Sequence, residues 1–310
     1  MRKNYLFGSG GRWTKFTPLY LLIPGVFLYF LIALGPSMAT AVYSLTDASG
    51  LRGAKINWVG FENYREFLFR GLASRDNIAA TVRTLQFSVL VTFIQFTMGL
   101  ILALLLNQKL KGRTFFRTLF FLPVILGVVI QGLMWKLFLL PRGGPMATMF
   151  GWFGLESEFL GGMPSGAFKW VIVVQIWANV GVTMVIFLAG MQTISEDLYE
   201  AARIDGAGGW QLFKSITWPQ LTPAINTNFL LNIIGSLQAW QLFLVLLGYR
   251  PGTQVLGYLV FAEGFGQTGG ASAFRQGFAA AASIVLFFLV LIIGFAANRY
   301  VNWREQRYMA

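Results

Sequence analysis

Residues 17–45 contain no charged side chain, and five further apolar runs follow along the chain. This feature constrains folding more than any other. A helix of about 20 apolar residues crosses the hydrocarbon of a bilayer and satisfies its own backbone groups while doing so. The runs read as spans at about 17–45, 84–108, 118–140, 170–192, 224–247 and 277–298. The fold class expected is an all-α polytopic membrane protein with six transmembrane helices. The first run has a rival reading as a signal peptide, because Ala39-Thr40-Ala41 resembles a small-residue cleavage site. Its apolar stretch is longer than the roughly 7–15 residues of a signal core, so an uncleaved helix is expected.

Composition agrees with the runs. The chain is 56% hydrophobic and only 12% charged, against about 25% charged for soluble domains. A net charge of +12 would suggest nucleic acid in a soluble protein. Here the basic residues cluster at the ends of apolar runs, which is a topology signal, and no nucleic-acid partner is expected. The tail 1–16, the 109–117 loop and the tail 299–310 together hold eleven Lys/Arg and one acid, Glu305. The positive-inside rule places these three segments, and so both termini, in the cytoplasm. Alternation of six spans then puts 193–223 on the same side, and the mixed-charge segment 46–82 opposite.

The stretch 195–223 is the densest in acids, holding Glu196, Asp197, Glu200 and Asp205 out of twelve in the chain. It reads as two short helices. Ser195 is placed to cap the first through its hydroxyl, with Glu196 and Asp197 at the positive end of the helix dipole. Leu198, Ala201 and Ala202 share a face, and Gly206 is placed to end the helix in a left-handed conformation. A second helix is expected over about 210–216, stopping before Pro219 because the residue ahead of a proline avoids the helical region.

What is missing narrows the chemistry. There is no cysteine and no histidine, so disulfides, thiolate metal sites and imidazole proton relays are excluded. No Asp or Glu lies in any of the six runs, whereas ion-coupled transporters place ionisable groups there. The charge at Lys136 reads as a side chain that snorkels to the interface. None of the eight lysines follows a glycine, which excludes a G-x-x-x-x-G-K-[ST] nucleotide loop. No paired carboxylates, nucleophile triad or metal-ligand set stands out, so no catalytic residue and no metal are expected. Energy for uphill movement would have to enter from another chain. Neutral polar stripes do occur: Gln175, Asn179 and Thr183 on the fourth run, and Asn228, Asn232 and Ser236 on the fifth, with Trp240 a turn beyond. They read either as a path for a neutral polar solute or as hydrogen bonds between helices.

The segment YEAARIDGAGGWQLFKSITWPQLTP at 199–223 resembles the EAA loop of the membrane subunits of bacterial ATP-binding-cassette importers. WVGFENY at 58–64, FRTLFFLP at 116–123 and IWANVGVTMVIFLAGMQTI at 176–194 are similar to the sugar-importer branch, and the opening 18–45 resembles the first of its two permeases, of the maltose/glycerol-phosphate type. Three places depart from the pattern: Trp218 where leucine is common, Arg83 where asparagine is common, and Tyr249-Arg250-Pro251-Gly252 in place of a glycine-rich turn. The resemblance implies a multi-pass subunit of the bacterial inner membrane, with a cytoplasmic coupling loop at 193–223 between the fourth and fifth helices. It implies a second homologous permease, two copies of a cytosolic ATPase that hold the ATP and Mg, and an extracytoplasmic solute-binding protein. Glu200, Ala201, Ala202, Asp205 and Gly206 would contact the ATPase. Asn179, Asn232 and Ser236, with Trp240 from the stripe, would line the path of a saccharide or related polyol. Two other classes remain open at this point. One is a stand-alone secondary transporter or facilitator. The other is a membrane enzyme acting on glycosyl groups, for which only the unpaired Glu156, Glu158 and Glu263 are available.

Overall fold

The computed structural model describes residues 17–108, 110–155, 158–266 and 274–309. The expected N-terminal tail, Lys109, Glu156 and Ala310 lie outside the described residues. The described residues are helical almost throughout, with one isolated bridge between Thr46 and Trp58. The order is α1 (Thr17–Tyr29), a π turn (Phe30–Leu34), α2 (Gly35–Tyr43), α3 (Glu62–Phe69), α4 (Gly71–Asn107), α5 (Arg113–Ile125), α6 (Val128–Phe138), α7 (Pro145–Trp152) and α8 (Pro164–Gln192). There follow α9 (Glu196–Ile204), α10 (Gly209–Leu212), a π turn (Phe213–Thr217), α11 (Trp218–Gln220), α12 (Thr222–Leu237), α13 (Gln241–Leu247), α14 (Leu256–Phe265) and α15 (Gln276–Met309).

Four stretches are long and apolar enough to cross a membrane: Leu22–Tyr43, Arg75–Asn107, Pro164–Gln192 and Gln276–Val301. Two bent pairs, α5 with α6 and α12 with α13, qualify only when each pair is taken together. The continuous helices expected over 118–140 and 224–247 are therefore each broken, by 102° and 51° respectively. The expected kink at Pro123 and Gly127 is a full break, since Leu126 and Gly127 both take extended backbone. Helix bounds also move outward. α4 begins well before residue 84, α8 begins at Pro164, and α15 continues through most of the expected tail at 299–310. Charged turns added to a spanning helix beyond the hydrocarbon carry no apolar signal, so hydropathy does not report them.

α8 lies at the centre of the bundle. Of its apolar window 61% is buried, against 39% for α4 and 28% for α15. Small residues let its neighbours approach. A Cβ at Gly181 would lie 2.3 Å from the Phe120 carbonyl oxygen of α5, and a Cβ at Gly99 of α4 would lie 2.4 Å from Thr183 Cγ2. Close backbone contact of this kind is how helices gain packing where burial alone gives little drive. Aromatic side chains fill the wider end of the bundle: Phe87 of α4 packs edge-on against Phe168 of α8 and Phe243 of α13, with centroids 5.9 and 5.0 Å away.

Both π turns stand immediately before a proline. Gly35 N–H donates to Phe30 O ahead of Pro36, and Trp218 N–H donates to Phe213 O ahead of Pro219. A widened turn relieves the clash between the proline ring and the carbonyl four residues back. The helix expected to stop before Pro219 consequently runs on into α11, with Trp218 itself helical.

Candidate functional site: a polar cleft at two helix breaks

The breaks in α5–α6 and α12–α13 face each other across α8. Between them lies a cleft of about 410 Å³, bordered by Gln131 of α6, Gln175 and Asn179 of α8, Gln238 between α12 and α13, and Gln241 of α13. The rest of its wall is Val124, Leu126, Val128, Ala178, Gly235, Ala239 and Leu242, so no charged side chain borders it. Five carboxamides around an uncharged cleft offer both donors and acceptors without fixing a charge. Such a set suits hydroxyl groups, each of which donates once and accepts.

Each break is held by specific bonds. Gln131 is buried, and its Nε2 donates to Pro123 O at 2.7 Å and to Leu126 O at 2.9 Å. One side chain thus satisfies carbonyls that the end of α5 leaves open. At the other break, Trp240 stacks on Phe261 of α14 with centroids 4.8 Å apart and planes 24° apart. Gly257 lies beneath that indole, where a Cβ would sit 3.1 Å from Trp240 Cβ. Asn179 Nδ2 donates to Gln175 O at 3.0 Å, which aligns the two α8 amides along the cleft.

The four path residues read from the sequence are not brought together. Asn179 borders the cleft. Trp240 turns its ring onto α14. Asn232 and Ser236 are buried in a separate polar seam where α4, α8 and α12 meet. There Gln95 Nε2 donates to Asn232 Oδ1 at 2.8 Å and to Thr183 Oγ1 at 3.0 Å, and Thr183 Oγ1 donates to Asn232 Oδ1 at 3.2 Å. Ser236 and Ser88 hydroxyls lie 2.8 Å apart, and Asn228 Nδ2 donates to Thr183 O at 3.2 Å. Asn232 Nδ2 and Asn228 Oδ1 have no partner within the described residues. Gln131, Gln238 and Gln241 were absent from the stripes read in the sequence. Their one signal there is an amide within an apolar run, and only the two breaks turn them towards the same space.

The acidic stretch forms a separate surface. Ser195 Oγ accepts from Asp197 N–H at 3.3 Å and caps α9. The helix ends in a Schellman arrangement: Gly206 has φ +81°, its N–H donates to Arg203 O, and Ala207 N–H donates to Ala202 O. Tyr199 Oη and Thr217 Oγ1, 2.9 Å apart, tie α9 to the second π turn. Trp218 packs beside Phe213 against the apolar cluster of α4, α8 and α12, which shows where the bulkier side chain goes. Glu200, Ala201 and Asp205 are exposed and Ala202 is half-buried. Ile204 is 87% exposed and Trp210 73% exposed, so apolar groups flank these four without cover from this chain.

The sequence profile of the binding-protein-dependent transport system inner membrane components matches residues 95–308. The chain belongs to this family. The permease is 32% identical over 287 residues to the multiple sugar-binding transport system permease protein MsmF of Streptococcus mutans, covering 91% of each chain. It is 32% identical over 234 residues to the trehalose/maltose transport system permease protein MalF of Thermococcus litoralis, covering 76% of each. Among solved structures, it matches a chain of a bacterial ABC transporter involved in import of the acidic polysaccharide alginate, with TM-score 0.77, 27% identity and coverage of 94% and 98%. A chain of the alginate transporter in complex with an alginate pentasaccharide-bound periplasmic protein matches with TM-score 0.79, 26% identity and coverage of 95% and 98%. The permease is accordingly an all-helical, multi-pass membrane subunit of an ABC transporter.

Proposed function

We propose that this permease forms, with a sister permease, the pathway by which a neutral saccharide or related polyol enters the cell from an extracytoplasmic binding protein. The observation that carries the substrate class is the uncharged cleft bordered by Gln131, Gln175, Asn179, Gln238 and Gln241. The sugar-transport names of the relatives support the same class. In this reading Asn179 contacts solute, Trp240 shapes the break beside it, and Asn232 and Ser236 hold three helices in register behind the path. The six expected spans correspond to four single helices and two broken ones, with both termini and the 193–223 stretch on the cytoplasmic side.

ATP and Mg belong to two partner ATPase subunits, and this chain carries no catalytic role. Glu200, Ala201, Ala202, Asp205 and Gly206, with the exposed Ile204 and Trp210 beside them, form the surface that docks on the ATPase. Among the described residues no group of three acidic, histidine or cysteine side chains is placed to hold a metal.

Transport by the reconstituted complex tests both halves. Gln238→Leu and Asn179→Leu should reduce uptake at least tenfold, to order of magnitude, by leaving solute hydroxyls unpaired, with solute-independent ATP hydrolysis unchanged. Uptake at the parent level in both would sink the cleft as the path. Ala202→Asp and Gly206→Pro should abolish solute-stimulated ATP hydrolysis while the chain still inserts. Solute movement in vesicles that contain this chain alone would instead establish the facilitator reading.

A further inference from the structure

Two of the departures from the family pattern meet in one groove away from the polar cleft. Arg83, near the start of the apolar part of α4, and Gly252, in the unusual Tyr249–Gly252 turn, border the same cavity of about 910 Å³. Arg83 Nε donates to Gln254 O at 2.8 Å, which fastens α4 to the residues just after that turn. Arg250 of the turn donates to the carbonyls of Leu160, Gly161 and Gly162, so the turn is fixed on its other side as well. Lys169 of α8 also borders the groove. Neither Arg83 nor Lys169 has an ion pair among the described residues, and Lys169 is exposed.

The groove changes character along its length. α4 and α8 run in the same direction, as Phe87 against Phe168 and Phe96 against Phe187 show. Arg83 and Lys169 therefore lie at the end of the bundle remote from the acidic stretch that follows Gln192. Further along the two helices the wall is Val89, Leu90, Phe168 and Ile172. Val89 is 62% exposed and Leu90 45% exposed on the outside of α4. Seven residues of helix separate Arg83 from Leu90, a depth of about 10 Å. Two cations over an apolar trough of that depth match an anionic headgroup over its acyl chains, and basic pockets between spanning helices bind such headgroups. A soluble anion would use the cations and leave the trough bare.

We propose that this groove is a binding site for an anionic phospholipid, with its phosphate between Arg83 and Lys169 and an acyl chain along Leu90 and Ile172. Lipid bound here braces the Tyr249–Gly252 turn against the starts of α4 and α8.

Native mass spectrometry of the purified importer complex, titrated with phosphatidylglycerol or phosphatidylcholine of the same acyl composition, tests the site. The parent retains phosphatidylglycerol in preference. Lys169→Gln removes a side chain that makes no intrachain bond, and lowers phosphatidylglycerol retention about fivefold, with a further factor of about five in Arg83→Gln/Lys169→Gln. Arg83→Lys keeps the charge and retains lipid. Phosphatidylcholine binding is unchanged throughout. Equal retention of the two lipids by the parent, or parent-level phosphatidylglycerol retention in Lys169→Gln, overturns the proposal. So does displacement by inorganic phosphate at equal concentration, which would mark a soluble-anion site, or burial of Lys169 against the sister permease.

Discussion

Gln131 holds two ends of a broken helix with one amide. Its Nε2 serves the carbonyls of both Pro123 and Leu126, and the side chain is buried. Gln131→Leu should therefore destabilise the permease by about 1–3 kcal/mol, the cost of leaving a buried acceptor without its donor. A thermal melt in detergent checks this, and an unchanged midpoint would mean that another group caps the break. Asp47 is the complementary case outside the spans. Its carboxylate accepts from Asn57 Nδ2 at 2.8 Å and from Asn57 N–H at 2.6 Å. The side-chain bond first and the backbone bond second hold its pKa below the ordinary 3.8. A depressed carboxylate pKa contributes order that is fully present above the unfolded value and is lost as pH falls through the lower folded value. Protection of the Asn57 amide in hydrogen exchange should thus drop on acidification below about pH 4. Asp47→Asn should remove that dependence.

At the scale of elements, proline and glycine shape the path more than hydropathy does. The 102° turn between α5 and α6 follows Pro123 and uses extended backbone at Leu126 and Gly127. The 51° turn between α12 and α13 involves no proline and falls at Gln238–Trp240. The first break was visible in the sequence as a Pro and a Gly in one run. The second was not, because its cause is the packing of Trp240 onto Phe261 and Gly257, residues of a later helix. The π turns share this division: a proline announces the strain, while the backbone's choice between stopping and widening depends on what packs behind it. α9 is the opposite case. Its cap at Ser195 and its stop at Gly206 are local chemistry, and both were legible from residue type and order. Ala202 and Gly206 sit within this self-contained element, so the coupling variants proposed above should change communication with the ATPase without disturbing the bundle.

For the whole molecule, the largest uncovered surface is the first helix. No residue in the apolar window of Leu22–Tyr43 is buried by the rest of this chain. Deleting residues 17–40 should shift the melting midpoint of the remainder by less than about 3 °C, the shift of roughly 1 kcal/mol for a domain of this size. A larger loss would show that the helix supports the bundle directly. The central helices are different, because α8 meets α4 through Gly99 and α5 through Gly181 and closes the seam with Gln95 and Asn232. The sequence by itself determined the class of fold, the absence of intramembrane acids and of a nucleotide loop, and the caps of the acidic stretch. Those properties depend on composition and on neighbours within a turn or two. Only the tertiary structure decided which amides share a cleft and which are sealed in a seam. Asn179 and Asn232 look alike in their runs, and the breaks in α5–α6 and α12–α13, set by contacts far along the chain, place one on open space and the other among three helices.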